Sequence, residues 1–239
     1  MKYLDLTLAT PQENLACDEA LLDACEEGHD GEVLRFWESS APFVVLGYSN
    51  KTATEVNLDS ARSAGVPVLR RCTGGGAVLQ GIGCLNYSLV LKIPESGPLA
   101  GISSTNAHIM NRHRDALAKL LGGDIVVQGH SDLARNVMKF SGNAQRRHSR
   151  SLLFHGTFLL GTDIELMERL LPMPSRRPAY RHDRTHRDFL TNLEVPTHYI
   201  KEALRSAWQA SEPLHAVPAE STASLAKNRY STDEWNFKF

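Results

Sequence analysis

The first regular pattern along the chain is helical. Leu15, Ala16, Ala20, Leu21, Ala24 and Cys25 recur at a 3.6-residue period behind Pro11-Gln12-Glu13-Asn14, and Gly28 stops the run. The period then shortens to that of strands. Glu32-Val33-Leu34-Arg35-Phe36-Trp37 and Pro42-Phe43-Val44-Val45-Leu46-Gly47 are β-branched and aromatic runs on either side of Glu38-Ser39-Ser40. A helix over 58–64 ended by Gly65 and strands over 66–71 and 86–92 follow. Pro94 to Gly101 is loop by composition, and Ser103-Ser104-Thr105-Asn106 offers N-caps to a helix that carries Ile109, His113, Ala116, Leu117, Leu120 and Leu121 on one face. Strands are predicted at 125–128, 137–141 and 152–160, a helix at 163–171, a long exposed loop at 172–188 and a last helix at 197–210. Hairpin-like neighbours mixed with helices predict an α+β fold, a mainly antiparallel mixed sheet flanked by helices, in one domain spanning 1–239.

Composition narrows what such a fold would do. The 239 residues carry 26 Lys+Arg against 27 Asp+Glu, and 42% are hydrophobic. That is the composition of a chain with a packed core, and the balanced charge argues against a protein that grips a nucleic-acid backbone, though not against a small nucleotide. No apolar run reaches the roughly 18 residues that span a bilayer, and Asp5 interrupts the start where a signal peptide would stay apolar, so a cytosolic protein with no membrane partner is expected. Cys17, Cys25, Cys72 and Cys84 form no C-x-x-C pair and are read as buried free thiols.

Three stretches carry candidate chemistry. In Arg70-Arg71-Cys72-Thr73-Gly74-Gly75-Gly76-Ala77-Val78, three glycines after a strand allow positive φ and close approach to a ligand, and their N–H groups can cradle an anion. Arg71 beside them offers a bidentate grip; the plainer reading is a glycine-rich turn with two surface arginines. Neither standard phosphate-loop pattern is present. In Met138-Lys139-Phe140, alternation turns Lys139 away from its apolar neighbours, so it is either a solvated lysine or a point charge facing a groove. His155, in Leu153-Phe154-His155-Gly156-Thr157, reads first as a core histidine satisfied by a backbone carbonyl. Arg176, Arg177, Arg181, Arg184 and Arg187 form either a solvated face or a surface for an acidic partner, and metal binding by His182 and His186 is not expected in a loop.

Taken in order, these stretches resemble the lipoate-protein ligase A family, related to biotin protein ligases and octanoyltransferases. The resemblance runs through Asn14-Leu15-Ala16-Cys17-Asp18-Glu19-Ala20, Leu46-Gly47-Tyr48-Ser49-Asn50, Arg70–Val78, Asn86-Tyr87-Ser88, Lys139-Phe140-Ser141-Gly142-Asn143-Ala144, His155-Gly156-Thr157 and Asp233-Glu234-Trp235-Asn236. It implies a fold like that of class II aminoacyl-tRNA synthetases and biotin ligases. It also implies activation of lipoate or octanoate by ATP to an acyl-adenylate, then transfer to a lysine of an E2 lipoyl domain or H protein. By position, Arg71, Gly75, Gly76, Ala77, Val78 and Leu79 would hold nucleotide and acyl head, with Gly142 and Ala144 in the same site. Lys139 would bind carboxylate and bridging phosphate oxygens, Asp132 would lie by the adenosine or Mg²⁺, and His155 would line the pocket.

The sequence departs from that family's pattern in two places. Gln80-Gly81-Ile82-Gly83-Cys84 stands where many ligases read His-Asp-x-Gly-Asn, and no smaller C-terminal accessory domain is expected, so that adenylation either uses a separate accessory subunit or does without one. The alternatives are a transferase that carries the acyl group on a cysteine, and a non-catalytic lipoyl-domain binder. The two positions where related transferases keep the cysteine hold Leu152 and the stretch Gly129-His130-Ser131-Asp132 here, without a thiol.

Overall fold

The computed structural model describes residues 1–29 and 31–239. Its elements, in chain order, begin with β1 (Lys2–Asp5), α1 (Pro11–Glu27), β2 (Val33–Trp37), β3 (Phe43–Leu46), α2 (Thr52–Glu55), α3 (Leu58–Ser63), β4 (Val68–Arg70) and β5 (Val78–Gln80). There follow β6 (Cys84–Lys92), α4 (Ile102–Leu121), β7 (Ile125–Gln128), β8 (Asp132–Arg135), β9 (Met138–Arg147), β10 (Ser151–Leu159) and α5 (Ile164–Leu170). The chain ends with α6 (His186–Phe189), α7 (Thr197–Ala207), β11 (Glu212–Pro213), α8 (Ala219–Leu225) and α9 (Asp233–Asn236).

Local chemistry explains the start of α1. The Thr10 side chain accepts from the Glu13 N–H, the Glu13 carboxylate accepts from the Thr10 N–H at 2.9 Å, and Gly28 ends the helix in the left-handed region at φ 83°. Among the described residues, eight strands form one sheet in the order β11-β1-β2-β6-β10-β9-β8-β7, and β4-β3-β5 form a second. All pairs from β2 to β7 are antiparallel and β1 runs parallel to both its neighbours, so the mixed, mainly antiparallel sheet expected from the sequence is present.

Alternation along the central strands places the site. One face of β2, β6 and β10 presents Leu34, Phe36, Leu85, Tyr87, Leu89, Leu152, Phe154 and Phe158 to a core closed by Ile109 and Leu117 of α4 and Ile200 and Leu204 of α7. The other face is apolar at one end, where Val33, Val90 and Leu153 pack under Cys17 and Leu21 of α1. Toward the opposite end the same face turns polar: Arg35, Ser88 and His155 stand in one register row, and Trp37, Asn86, Thr157 and Gly142 in the next. The cavity opens over that polar end.

Most of the predicted elements are observed within a few residues. The tract at 172–188 differs: it holds a 3₁₀ turn at Ala179–Arg181 and the start of α6, and buries Arg181 and His186. The sequence reading also lacked β8, because Asp132-Leu133-Ala134-Arg135 carries no β-branched residue and pairs only by tertiary context.

Candidate functional site

A cavity of ≈ 1020 Å³ lies between the polar end of the large sheet, the glycine loop and the segment after α5. Arg71, Gly75, Gly76, Ala77, Val78, Asp132, Lys139, Gly142, Ala144 and His155 all line it. Leu79 does not. Strand alternation sends Val78 and Gln80 to the cavity and the Leu79 side chain into the core beneath with Val44 and Leu46.

The glycine loop is held open from behind. Arg71 Nε donates to Thr73 Oγ1 at 3.0 Å, and Nη2 donates to the carbonyls of Gly74 and Gly76 at 2.6 and 2.9 Å. Arg71 is thus a buried brace for the loop, with Nη1, 3.4 Å from the Val45 carbonyl, as its part with spare donor capacity. Burial holds its guanidinium down to about 10. Gly75 sits at φ 88°, and a Cβ there would lie 2.7 Å from Arg71 Nη2, so glycine is required on both counts.

Arg70, read as a surface side chain, is fully buried. It donates to the carbonyls of Gly47, Asn50 and Asn236 at 2.9, 2.8 and 3.0 Å, while its own carbonyl accepts from Trp235 Nε1 at 2.8 Å. The Asp233–Asn236 element is thereby tied to the strand that launches the loop.

Lys139 reaches the cavity through an irregularity. The β8–β9 register shifts between Leu133 and Ala134, and the Lys139 ammonium lies over Gly142, where a Cβ would sit 2.8 Å from Nζ. Nζ pairs with Asp132 Oδ1 at 2.8 Å, and Tyr180 donates its hydroxyl to Asp132 Oδ2 at 2.8 Å. Burial and the adjacent Asp132 charge push the Tyr180 phenol up, which keeps it a donor. The arginine-rich segment is therefore part of the site wall and not only a solvated face: Pro174, Arg176, Arg177, Pro178 and Arg181 line the cavity with Tyr180 anchored to Asp132. His182 is exposed while His186 is buried, its pKa lowered to about 4 by burial and by the charges of Arg181 and Lys139.

His155 is satisfied by side chains and not by a backbone carbonyl. Its Nε2 is 2.7 Å from Thr73 Oγ1, and its Nδ1 lies 3.5 Å from Asp18 Oδ2. Asp18, held as a carboxylate, can only accept, so it favours the imidazole proton on Nδ1, with the Thr73 hydroxyl donating to Nε2. Asp18 also pairs with Arg35 Nη1 at 2.5 Å, both buried. Burial alone would raise the Asp18 carboxyl, but Arg35 and His155 outweigh it and hold it below its ordinary value. Sequence reading missed Asp18 as a site residue; its signal was an acid one turn from Leu15 and Leu22 on a helix whose exposed face is narrow.

Among the described residues three carboxylates line the cavity, Asp18, Glu55 and Asp132, yet no three His, Cys, Asp or Glu gather in a way that could hold a metal ion. No cysteine lines the cavity. All four thiols are buried, and desolvation pushes Cys72 to about 12 and Cys84 to about 11, away from the thiolate form.

The profile described as the lipoyl protein ligase A/B catalytic domain matches residues 10–204. The chain is 27% identical over 272 residues to octanoyltransferase LipM of Brevibacillus brevis, covering 99% of this chain and 98% of that one. It is similar to a solved bi-partite lipoate protein ligase from Thermoplasma acidophilum, described together with its E2 lipoyl domain, at TM-score 0.83, 25% identity and 99% and 95% coverage. It is also similar to a lipoate-protein ligase A bound with ATP, at TM-score 0.80, 26% identity and 99% coverage of both chains.

Proposed function

The chain belongs to the lipoyl protein ligase A/B catalytic-domain family, and from that premise we propose that it is an ATP-dependent ligase and not a cysteine-dependent transferase. The observation that carries this reading is the cavity wall itself, which presents the Lys139 ammonium and a glycine loop and no thiol. Ligase and transferase relatives are similar to the chain to nearly the same degree, so identity alone favours neither.

In the proposed reaction one carboxylate oxygen of lipoate attacks the α-phosphorus of ATP, the bond to the β-phosphate oxygen breaks, and pyrophosphate leaves. Lys139 neutralises charge that develops on the carboxylate and phosphoryl oxygens. The Gly75-Gly76-Ala77 N–H groups offer an anion cradle, and Arg176 and Arg177 offer positive charge at the same wall. The ε-amine of an acceptor lysine then attacks the acyl carbonyl, the amide forms and AMP leaves. The proton that the amine sheds passes to solvent, and His155, held between Asp18 and Thr73, lines the same wall. Mg²⁺, when bound with the triphosphate, would supply further charge neutralisation; the protein offers it single carboxylates such as Asp132, as suits an ion held mainly by phosphates and water.

As acceptor we propose a lysine on an E2 lipoyl domain or H protein, with a separate accessory subunit assisting, as the bi-partite relative suggests. Lipoate-dependent exchange of labelled pyrophosphate into ATP tests the first half-reaction. Wild type should exchange, and Lys139→Ala should lose about 10²–10³-fold while keeping its fold; exchange unaffected by Lys139→Ala would remove the ammonium from the chemistry.

A further inference from the structure

The hairpin that carries Lys139 turns through a residue ill suited to its backbone. Arg135 and Met138 are the last register partners of β8 and β9, so Asn136 and Val137 form a two-residue turn, at φ 51° and 61°. Positive φ at both places matches the twist of the strands and is the turn that Asn-Gly makes without strain. Asn136 fits it. Val137 does not, because a β-branched residue in the left-handed region crowds its own backbone. Its side chain is 62% exposed, so packing in the core does not offset that strain. A strained residue of this kind persists only where its surroundings hold it.

The sheet itself holds this turn weakly. Among the described residues, two register pairs lie between the turn and the shift at Leu133, Ala134 with Lys139 and Arg135 with Met138, and on the other side of β9 the pairing with β10 begins only at Ser141. The tract after α5 supplies the hold instead. Arg184 Nη1 donates to the Val137 carbonyl at 3.1 Å, while its Nη2 and Nε donate to the carbonyls of Tyr180 and Arg181 at 2.6 and 3.1 Å. Tyr180 in turn bonds Asp132 at the start of β8, and the Thr191 N–H donates to the Lys139 carbonyl at 2.9 Å beside a bridge from Lys139 to Leu190. We propose that Arg184 is a positioning residue for Lys139: it clamps a strained turn shut, and the strain makes the place of Lys139 conditional on the tract. Without the clamp the turn relaxes by opening the two pairs next to it. Lys139 belongs to one of them, so its ammonium leaves its position over Gly142. Arg176 and Arg177 belong to the same tract, so their charges and that of Lys139 reach the cavity together. That the ammonium serves the chemistry rests on the ligase reading above; the clamp does not.

Amide hydrogen exchange of the full chain, read by mass spectrometry without lipoate or ATP, tests the clamp apart from any adenylation. Arg184→Ala should speed exchange over residues 133–140 by about tenfold or more, and lower kcat for lipoate-dependent pyrophosphate exchange by about 10- to 100-fold. Val137→Gly alone should raise the urea midpoint and leave the hairpin at least as protected as in wild type. The decisive protein is the double variant: with the strain gone the turn holds itself, so Val137→Gly should restore both the protection and the turnover that Arg184→Ala loses. Val137→Ala keeps a Cβ and should restore less. Arg184→Gln, which keeps a donor for the neighbouring carbonyls, replaces Arg184→Ala if the alanine unravels the tract. A hairpin that stays protected without Arg184 overturns the proposal, as does a defect that Val137→Gly leaves undiminished or a urea midpoint that Val137→Gly lowers. Protection that responds as described with no pyrophosphate exchange even in wild type would sink the ligase reading and leave the clamp standing; exchange in wild type with a hairpin indifferent to Arg184 would do the reverse.

Discussion

Arg70-Arg71 and Arg176-Arg177 are identical dipeptides at one cavity, and the fold uses them in opposite ways. The first pair is buried and its N–H groups are given to backbone carbonyls at 2.6–3.4 Å, so its charge shapes the glycine loop and the C-terminal clamp. The second pair is exposed at the cavity wall, where Arg177 gives one N–H to the exposed Asp183 at 2.8 Å and, among the described residues, none to a backbone carbonyl. The difference teaches that an arginine beside a glycine loop acts as scaffold when carbonyls surround it, and as a ligand-facing charge only when the backbone leaves its donors free.

The largest effect should come from removing the scaffold. Arg70→Ala leaves the Gly47, Asn50 and Asn236 carbonyls without their donor and should cost about 4 kcal/mol or more in urea unfolding. Arg70→Lys should recover little, because one ammonium cannot span those carbonyls. A loss below about 1 kcal/mol would break the distinction.

A buried side chain that the fold keeps uncharged sharpens it through pH. His113 is fully buried, accepts from Trp208 Nε1 at 2.8 Å, and is lowered to about 3 by burial and then by the Arg112 charge. With a folded pKa below the unfolded value near 6.5, its contribution is complete above about pH 6.5 and is lost as pH falls toward 3, because the unfolded chain takes the proton first. From this residue alone stability should drop by about 3 kcal/mol between pH 7 and pH 4. Urea midpoints should show a flatter acid limb for His113→Gln than for wild type; parallel limbs would remove His113 as the titrating group.

The smallest structural effect belongs to the exposed pair. Arg176→Ala and Arg177→Ala should each shift stability by no more than about 0.5 kcal/mol. The double variant should raise KM for ATP about tenfold, with a gap that closes as salt is raised. A change in stability without one in KM would place this pair with Arg70 and Arg71 instead.

The sequence made legible what depends on periodicity and spacing. Alternation around Lys139 pointed it away from Phe140, and the apolar stripes located α1, α4 and α7. What it hid depends on contacts far apart in the chain. The roles of Arg70 and Arg71 are decided by carbonyls 3 to 166 residues away, and that of His155 by Thr73 at 82 residues' separation and by Asp18 on α1. The tract at 172–188 looked solvated because its charges are dense, and bonds from Tyr180 to Asp132, Ser175 to Glu55 and Arg184 to the Val137 carbonyl make it a wall. The inward turn of the Leu79 side chain was hidden for a simpler reason: an element carried over as a run of residues ignores the two faces of the strand.

Oxygen tracing tests the ligase reading most directly. Lipoate labelled with ¹⁸O in both carboxylate oxygens is incubated with the chain, ATP, Mg²⁺, a lipoyl domain and any accessory subunit, and AMP and the modified domain are weighed by mass spectrometry. Attack of the carboxylate on the α-phosphorus followed by amine attack on the carbonyl leaves one ¹⁸O in AMP and one in the new amide. Unlabelled AMP, or modification of the domain from an octanoyl carrier protein with no ATP present, would contradict it.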